Sequence, residues 1–96
     1  MSEDRELLEA VAKAAINEHE AWKARNAARR AKREFWWQYK DATGEWFVKS
    51  EAEPDDIAKF APLEAADKAA RRRYATARAA TRRAIVRAAA AIGGAP

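Results

Sequence analysis

The feature that most constrains this chain is a long stretch without helix-breaking residues. No glycine or proline occurs from Ser2 to Lys40, and Ser2 is followed by Glu3 and Asp4. A serine hydroxyl can cap a helix N-terminus, and acidic side chains are favoured at the positive end of the helix dipole. The sequence therefore predicts one long helix that begins near Ser2 and continues into the aromatic segment starting at Phe35.

Apolar residues in this first segment fall into two stripes when successive residues are placed 100° apart. One stripe contains Leu7, Leu8, Val11, Ala14, Ala15 and Trp22. The second, displaced around the helix, contains Ala21, Ala24, Ala28, Ala31 and Phe35. A long helix that contacts two different neighbours would need such a shift.

The aromatic segment that follows has two interpretations. In the first, the helix continues through Tyr39 and ends at Gly44, because glycine readily adopts a terminal left-handed conformation. In the second, residues 36–49 form a small aromatic β-hairpin around an Asp-Ala-Thr-Gly turn. We favour the helix.

The second half of the chain also predicts helices. Pro54, followed by two aspartates, is typical of a helix start and predicts a short third helix near residues 55–60. Pro62 then suits the first position of a last helix, which Gly93-Gly94 would end. Its apolar arc contains Leu63, Ala66, Ala70, Tyr74, Ala77, Thr81, Ile85, Ala88 and Ile92. We therefore predict an all-α fold, a long antiparallel helical hairpin forming a single domain over residues 1–96.

The composition indicates how such a hairpin would pack. Alanine accounts for 27 of the 96 residues, whereas Leu, Ile, Val and Phe together number only 13. Nine aromatic residues and a net charge of only +4 nevertheless argue against disorder. We expect close packing through alanine, with most aromatic residues in the core: Trp22, Phe35, Trp36, Trp37, Trp46, Phe47 and Phe60. Because an alanine seam buries little apolar area, we also expect a homodimer.

The inventory of reactive side chains argues against an enzyme. The chain has no cysteine, one histidine and two serines, and it lacks a glycine-rich phosphate loop. His19 has no carboxylate or second histidine at metal-ligand spacing on its helix face. We therefore expect no catalytic site, metal, cofactor or small-molecule substrate. The chain shows neither a secretory signal nor a membrane span, which predicts a soluble cytoplasmic protein.

One basic segment, residues 24–33, superficially resembles the basic region of leucine-zipper transcription factors. In that family two residues separate the asparagine from a pair of small residues, whereas here Ala27 and Ala28 follow Asn26 directly. That difference turns those side chains by about 200° on a helix with about 3.6 residues per turn. No leucine heptad follows, so the pattern excludes this family.

Charge is arranged in blocks. Residues 23–40 and 62–96 are strongly basic, whereas residues 1–22 and 41–61 are acidic. In an antiparallel hairpin the acidic start would lie beside the basic end, which leaves an uncompensated positive band in the middle. We expect the partner-binding residues there: Arg25, Arg29, Arg33, Arg71, Arg72 and Arg73.

A basic surface flanked by aromatic residues predicts a non-enzymatic binding protein. Its partner would be nucleic acid, or an acidic protein surface of a nucleic-acid machine. Two alternatives stay open. One is a small protein-interaction inhibitor or accessory protein, similar in kind to those that phages use against host defences, anti-CRISPR proteins included. The other is a purely structural helical dimer.

Overall fold

Two long helices make up the described part of the chain. The computed structural model describes residues 2–37 and 54–93, and the side chains of residues 3–35 and 57–93. Helix α1 spans Ser2–Trp37 and helix α2 spans Pro54–Ile92. The two helices pack against each other as a hairpin, which confirms the predicted all-α fold in its main feature.

The separate third helix near residues 55–60 was a wrong prediction. These residues form the first turns of α2, which continues through Pro62. Phe60 is buried before the proline and Leu63 is half-buried after it, so packing favours one continuous helix across Pro62. Of the alternative β-hairpin at 36–49, Trp36 and Trp37 belong to α1, and the rest lies outside the described residues. The same holds for the predicted helix end at Gly44.

The described residues group into two compact units, and each contains a piece of both helices. The terminal unit comprises residues 2–23 and 72–93, and the central unit comprises residues 24–37 and 54–71. In each unit a segment of α1 packs against an antiparallel segment of α2.

In the terminal unit the least exposed residues alternate at spacings of three and four. On α1 they are Leu7, Val11, Ala14, Glu18 and Ala21, and on α2 they are Tyr74, Ala77, Thr81, Ala84 and Ala88. This spacing is that of the a and d positions of a coiled coil. The Thr81 hydroxyl donates a hydrogen bond to the carbonyl of Ala77 at 3.1 Å, which satisfies a polar group within the seam.

The central unit shows the same spacing with more polar residues. The least exposed positions include Arg25, Ala28, Lys32 and Phe35 on α1, and Phe60, Leu63, Asp67 and Ala70 on α2. Long charged side chains can cover a seam with their methylene groups while their charged ends reach water. The interface of this unit is partly ionic, because Lys32 of α1 forms an ion pair with Asp67 of α2.

The observed seam corrects the predicted apolar stripes. Seven residues assigned to those stripes are exposed in the structure: Leu8, Ala15, Trp22, Ala31, Ala66, Ile85 and Ile92. Charged residues occupy seam positions instead, namely Glu18, Arg25, Lys32 and Asp67. The reason is that the spacing of three and four residues, rather than hydrophobicity, decides which side chains face the partner helix. The expectation that Trp22 belongs to the core was wrong, while that for Phe60 is confirmed. Trp36, Trp37, Trp46 and Phe47 have side chains outside the described residues.

The end of α2 follows the sequence prediction. The helix ends at Ile92, and the Gly93 N–H donates a hydrogen bond to the Ala89 carbonyl at 2.8 Å. A Cβ atom on Gly93 would lie 2.5 Å from that carbonyl oxygen, a separation that side-chain carbons do not tolerate. Glycine is therefore required for this close approach.

Neither of the two described helices contains an apolar stretch long enough to cross a lipid bilayer.

Candidate anion-binding site

A basic groove lies in the central unit. It has a volume of about 480 Å³ and is lined by Arg25, Arg29, Lys32 and Arg33 of α1 together with Asp67 and Arg71 of α2. Arg29, Lys32 and Arg33 follow Arg25 by four, seven and eight positions. All four side chains therefore lie on one face of α1. Among the described side chains, the groove thus presents five basic groups and one carboxylate.

The single carboxylate organises two of the basic side chains. One oxygen of Asp67, Oδ2, lies 3.5 Å from Nζ of Lys32 and 3.1 Å from Nη2 of Arg71. The Asp67 side chain is only 9% exposed, whereas those of Lys32 and Arg71 are 30% and 56% exposed. A buried carboxylate is costly unless it is paired, so these contacts hold both cations at the base of the groove.

An aromatic pair supports the lysine from the other side. The Lys32 ammonium lies 5.8 Å from the centroid of the Phe60 ring, within the range of a cation–π contact. The rings of Phe60 and Phe35 pack with centroids 5.5 Å apart at an angle of 34°. Lys32 therefore contacts both a carboxylate and an aromatic ring, and both contacts favour its position in the groove.

The remaining arginines differ in their surroundings. Arg29 and Arg33 are exposed, and neither forms an ion pair with an acidic side chain in the described ranges. Arg25 is half-buried along the seam. The two exposed guanidinium groups lie one helical turn apart on α1, so they offer adjacent donors to an anion.

Four of the six predicted partner-binding residues line this groove together. They are Arg25, Arg29, Arg33 and Arg71. Arg72 and Arg73 are exposed but are not among the groove-lining residues, because successive residues of a helix point in directions 100° apart. A run of three arginines therefore cannot place all its side chains in one groove.

Comparisons with protein-family models, with characterised proteins and with solved structures give no match.

Lys32 and Asp67 both line the groove, although the charge pattern did not predict either as a partner-binding residue. Asp67 lies seven residues after Phe60 and seven before Tyr74, within a three-four alternation of poorly exposed residues. Lys32 occupies the equivalent kind of position between Arg25 and Phe35. A search for heptad spacing that included charged residues would have found both.

The terminal unit contains an exposed aromatic contact. The His19 and Trp22 rings stack with centroids 5.7 Å apart and an interplanar angle of 21°, and both side chains are exposed. Within the described ranges, no group of three His, Cys, Asp or Glu residues could hold a metal ion.

Proposed function

We propose that this chain is a non-enzymatic protein that binds the phosphate backbone of nucleic acid through the basic groove of its central unit. The supporting observation is the convergence of Arg25, Arg29, Arg33 and Arg71 on one groove, in which Asp67 is the acidic residue among the described lining side chains. Arginine donates paired hydrogen bonds to phosphate oxygens and keeps its positive charge at every physiological pH.

The charge density of the groove favours nucleic acid over an acidic protein. Several like charges crowded into a groove of about 480 Å³ repel one another and oppose folding. Double-stranded DNA carries one negative charge per roughly 1.7 Å of its axis, so it can neutralise adjacent cations together. Carboxylates on a folded protein surface are more widely dispersed and are interspersed with positive charges.

Among the described side chains of this unit, the aromatic ones are Phe35 and Phe60, and Phe60 contacts the groove residue Lys32. Phe35 and Phe60 contact each other, and Phe60 is buried, so these rings are occupied by packing. Phe35 and Phe60 are therefore not offered to a base, and we propose that phosphate contacts with the arginines carry the binding. Phosphate contacts carry no direct sequence information, so we expect weak sequence preference and strong salt dependence.

The test measures binding of fluorescently labelled DNA, duplex and single-stranded, by anisotropy between 50 and 200 mM salt. The double variant R29Q/R33Q removes two exposed groove cations. We expect weaker binding, and the slope of log affinity against log salt should become shallower by about 2. The matched control is R72Q/R73Q, which changes the net charge equally but alters two exposed arginines outside the groove.

The outcomes separate the groove from net charge. A larger loss for R29Q/R33Q than for R72Q/R73Q supports the groove as the binding site. Equal losses would show that overall charge alone drives binding, which contradicts the proposed site. If the unaltered protein binds neither duplex nor single strand at 50 mM salt, the proposal is wrong, and an acidic protein surface becomes the alternative target.

A further inference from the structure

The exposed large apolar residues in the described part of the chain are concentrated in the terminal unit. Apart from Ile57, all of them belong to it, with exposures between 41% and 64%: Leu8, Ile16, Trp22, Ile85, Val86 and Ile92. Scattered single apolar residues are normal on a protein surface, whereas a contiguous set indicates a contact surface.

Most of these residues form two stripes. On α1, Leu8, Ala15 and Trp22 are spaced seven apart, and on α2, Ile85 and Ile92 are also spaced seven apart, in line with Arg78. Seven residues make nearly two full helical turns, so each set lies along one side of its helix. Val86 lines the same cavity as the stripe residue Ile85.

The two stripes border the same surface of the terminal unit. Glu18 lines one cavity with Arg78, Thr81, Arg82, Ile85 and Val86, and a second cavity with Ala15, His19, Trp22 and Tyr74. A residue shared by both cavities lies between the stripes. Leu8, Ala15, Trp22, Ile85 and Ile92 therefore form one apolar face, with Glu18 and Arg78 on it.

We propose that a second copy of this chain covers the apolar face, forming a symmetric dimer with four helices in the terminal units. Charge identifies the occupant. On this face Glu18 of α1 lines one cavity together with Arg78 and Arg82 of α2. The face thus displays both halves of a complementary pair, which is what self-association through one surface requires.

Charge also selects the orientation of the dimer. Two hairpin faces can stack about a twofold axis parallel to the helices, which places α1 of one copy on α2 of the other. Alternatively the axis crosses the helices, which places α1 on α1 and α2 on α2. The second arrangement brings the two α2 helices together, with Arg78 and Arg82 of each copy on the interface, and like charges at an interface oppose binding. The parallel axis is therefore the proposed arrangement.

Sedimentation equilibrium of the full chain tests the face. We expect a dimer at about 100 µM for the unaltered protein, and at least a tenfold weaker association for I85E. The matched control is T76E, which adds the same charge at an exposed position about 160° around α2 from Arg78 and should remain dimeric. A monomeric unaltered protein would overturn the proposal, as would a fully dimeric I85E.

Cysteine cross-linking tests the orientation, because the chain has no cysteine of its own. Glu18 and Thr81 line one cavity, so they lie at the same height on the two antiparallel helices. Ala15 precedes Glu18 by three residues and Ile85 follows Thr81 by four. Ala15 and Ile85 are therefore also at about the same height. A mixture of A15C and I85C proteins, one carrying a mass tag, should yield mainly mixed cross-linked pairs upon oxidation. Predominant A15C self-pairs would contradict the parallel axis.

The dimer does not depend on nucleic-acid binding. R29Q/R33Q changes only central-unit residues and should sediment as the unaltered protein does. I85E changes a residue outside the groove, so weaker self-association of I85E tests only the dimer. Failure of the unaltered protein to bind DNA would contradict only the proposed function. Far-ultraviolet circular dichroism of I85E and T76E checks that both variants fold.

Discussion

At the scale of single residues, Asp67 links stability to the proposed binding site. Its carboxylate is almost buried and contacts two groove cations, so it stabilises the hairpin while it lowers the positive charge of the groove. The Asp67 carboxylate thus favours folding but weakens the attraction of the groove for an anion. Substitution of this residue therefore separates stability from binding.

We expect D67N to lower the free energy of unfolding by about 1–2 kcal/mol. Breaking a fully buried ion pair costs about 3–5 kcal/mol, but Arg71 is 56% exposed and solvent screens its contribution. Urea unfolding measures the change. The control is E20Q. Glu20 forms an ion pair with Lys23, and both side chains are more than half exposed. Loss of this exposed ion pair should lower the free energy of unfolding by under about 0.5 kcal/mol.

The same D67N variant should bind DNA several-fold more tightly, measured at a temperature where it is folded. The substitution removes the negative charge that contacts Lys32 and Arg71 in the groove, and so releases both cations toward an anion. Weaker DNA binding by folded D67N would contradict an electrostatic groove.

At the scale of the helices, alanine at the seam sets how closely α1 and α2 approach. Ala21 is completely buried and Ala77 nearly so. Short side chains at these positions leave no space for branched ones, because protein interiors are packed to crystal-like density. The alanine-rich composition is thus used within the seam as well as on the exposed faces.

We expect A21L to destabilise the protein by about 1–3 kcal/mol through overpacking. The matched variant A12L places the same side chain at an exposed position of α1, where the change should stay within about 0.5 kcal/mol. Thermal unfolding of both variants at equal concentration makes the comparison. Equal stability of A21L and A12L would show that the seam is not closely packed at Ala21.

Pro62 is the other element-scale feature, because α2 continues through it. Proline inside a helix removes one backbone hydrogen bond and clashes with the preceding turn, at a cost of about 3 kcal/mol. P62A should therefore stabilise the protein by about 2 kcal/mol, since the greater freedom of alanine in the unfolded chain offsets up to about 1 kcal/mol. Chemical denaturation tests this, and a less stable P62A would favour the helix break that the sequence suggested.

At the scale of the whole molecule, helix dominates the chain. Helices α1 and α2 contain 36 and 39 of the 96 residues. Circular dichroism of the folded protein should therefore indicate at least about three-quarters helix, well above the average of roughly one-third for globular proteins. A helical content below about 60% would contradict the described helices.

The positions of the helices were largely predictable from the sequence. Backbone hydrogen bonds in a helix join residues four apart, so the lack of glycine and proline from Ser2 to Lys40 and the glycines after Ile92 set helix extent locally. Pro62 is the exception. Its local cost is outweighed by burial of Phe60 and Leu63 on either side, which depends on contacts with α1.

The groove was predictable in part, because charge blocks place arginines in the middle of a hairpin. The sequence did not predict which of these arginines line the same groove, because that depends on the angular position of each residue relative to the partner helix. Arg71 lines the groove while Arg72 does not, although the two are neighbours in sequence.

The sequence by itself determined that this chain forms two long helices with a basic middle. Only the tertiary structure decided which faces meet. It placed Asp67 inside and Trp22 outside, against their hydrophobicity. The physical reason is that alanine gains little from burial, so an alanine-rich helix has no single dominant apolar face. Pairing between the helices, including the contact of Lys32 with Asp67, then sets the register.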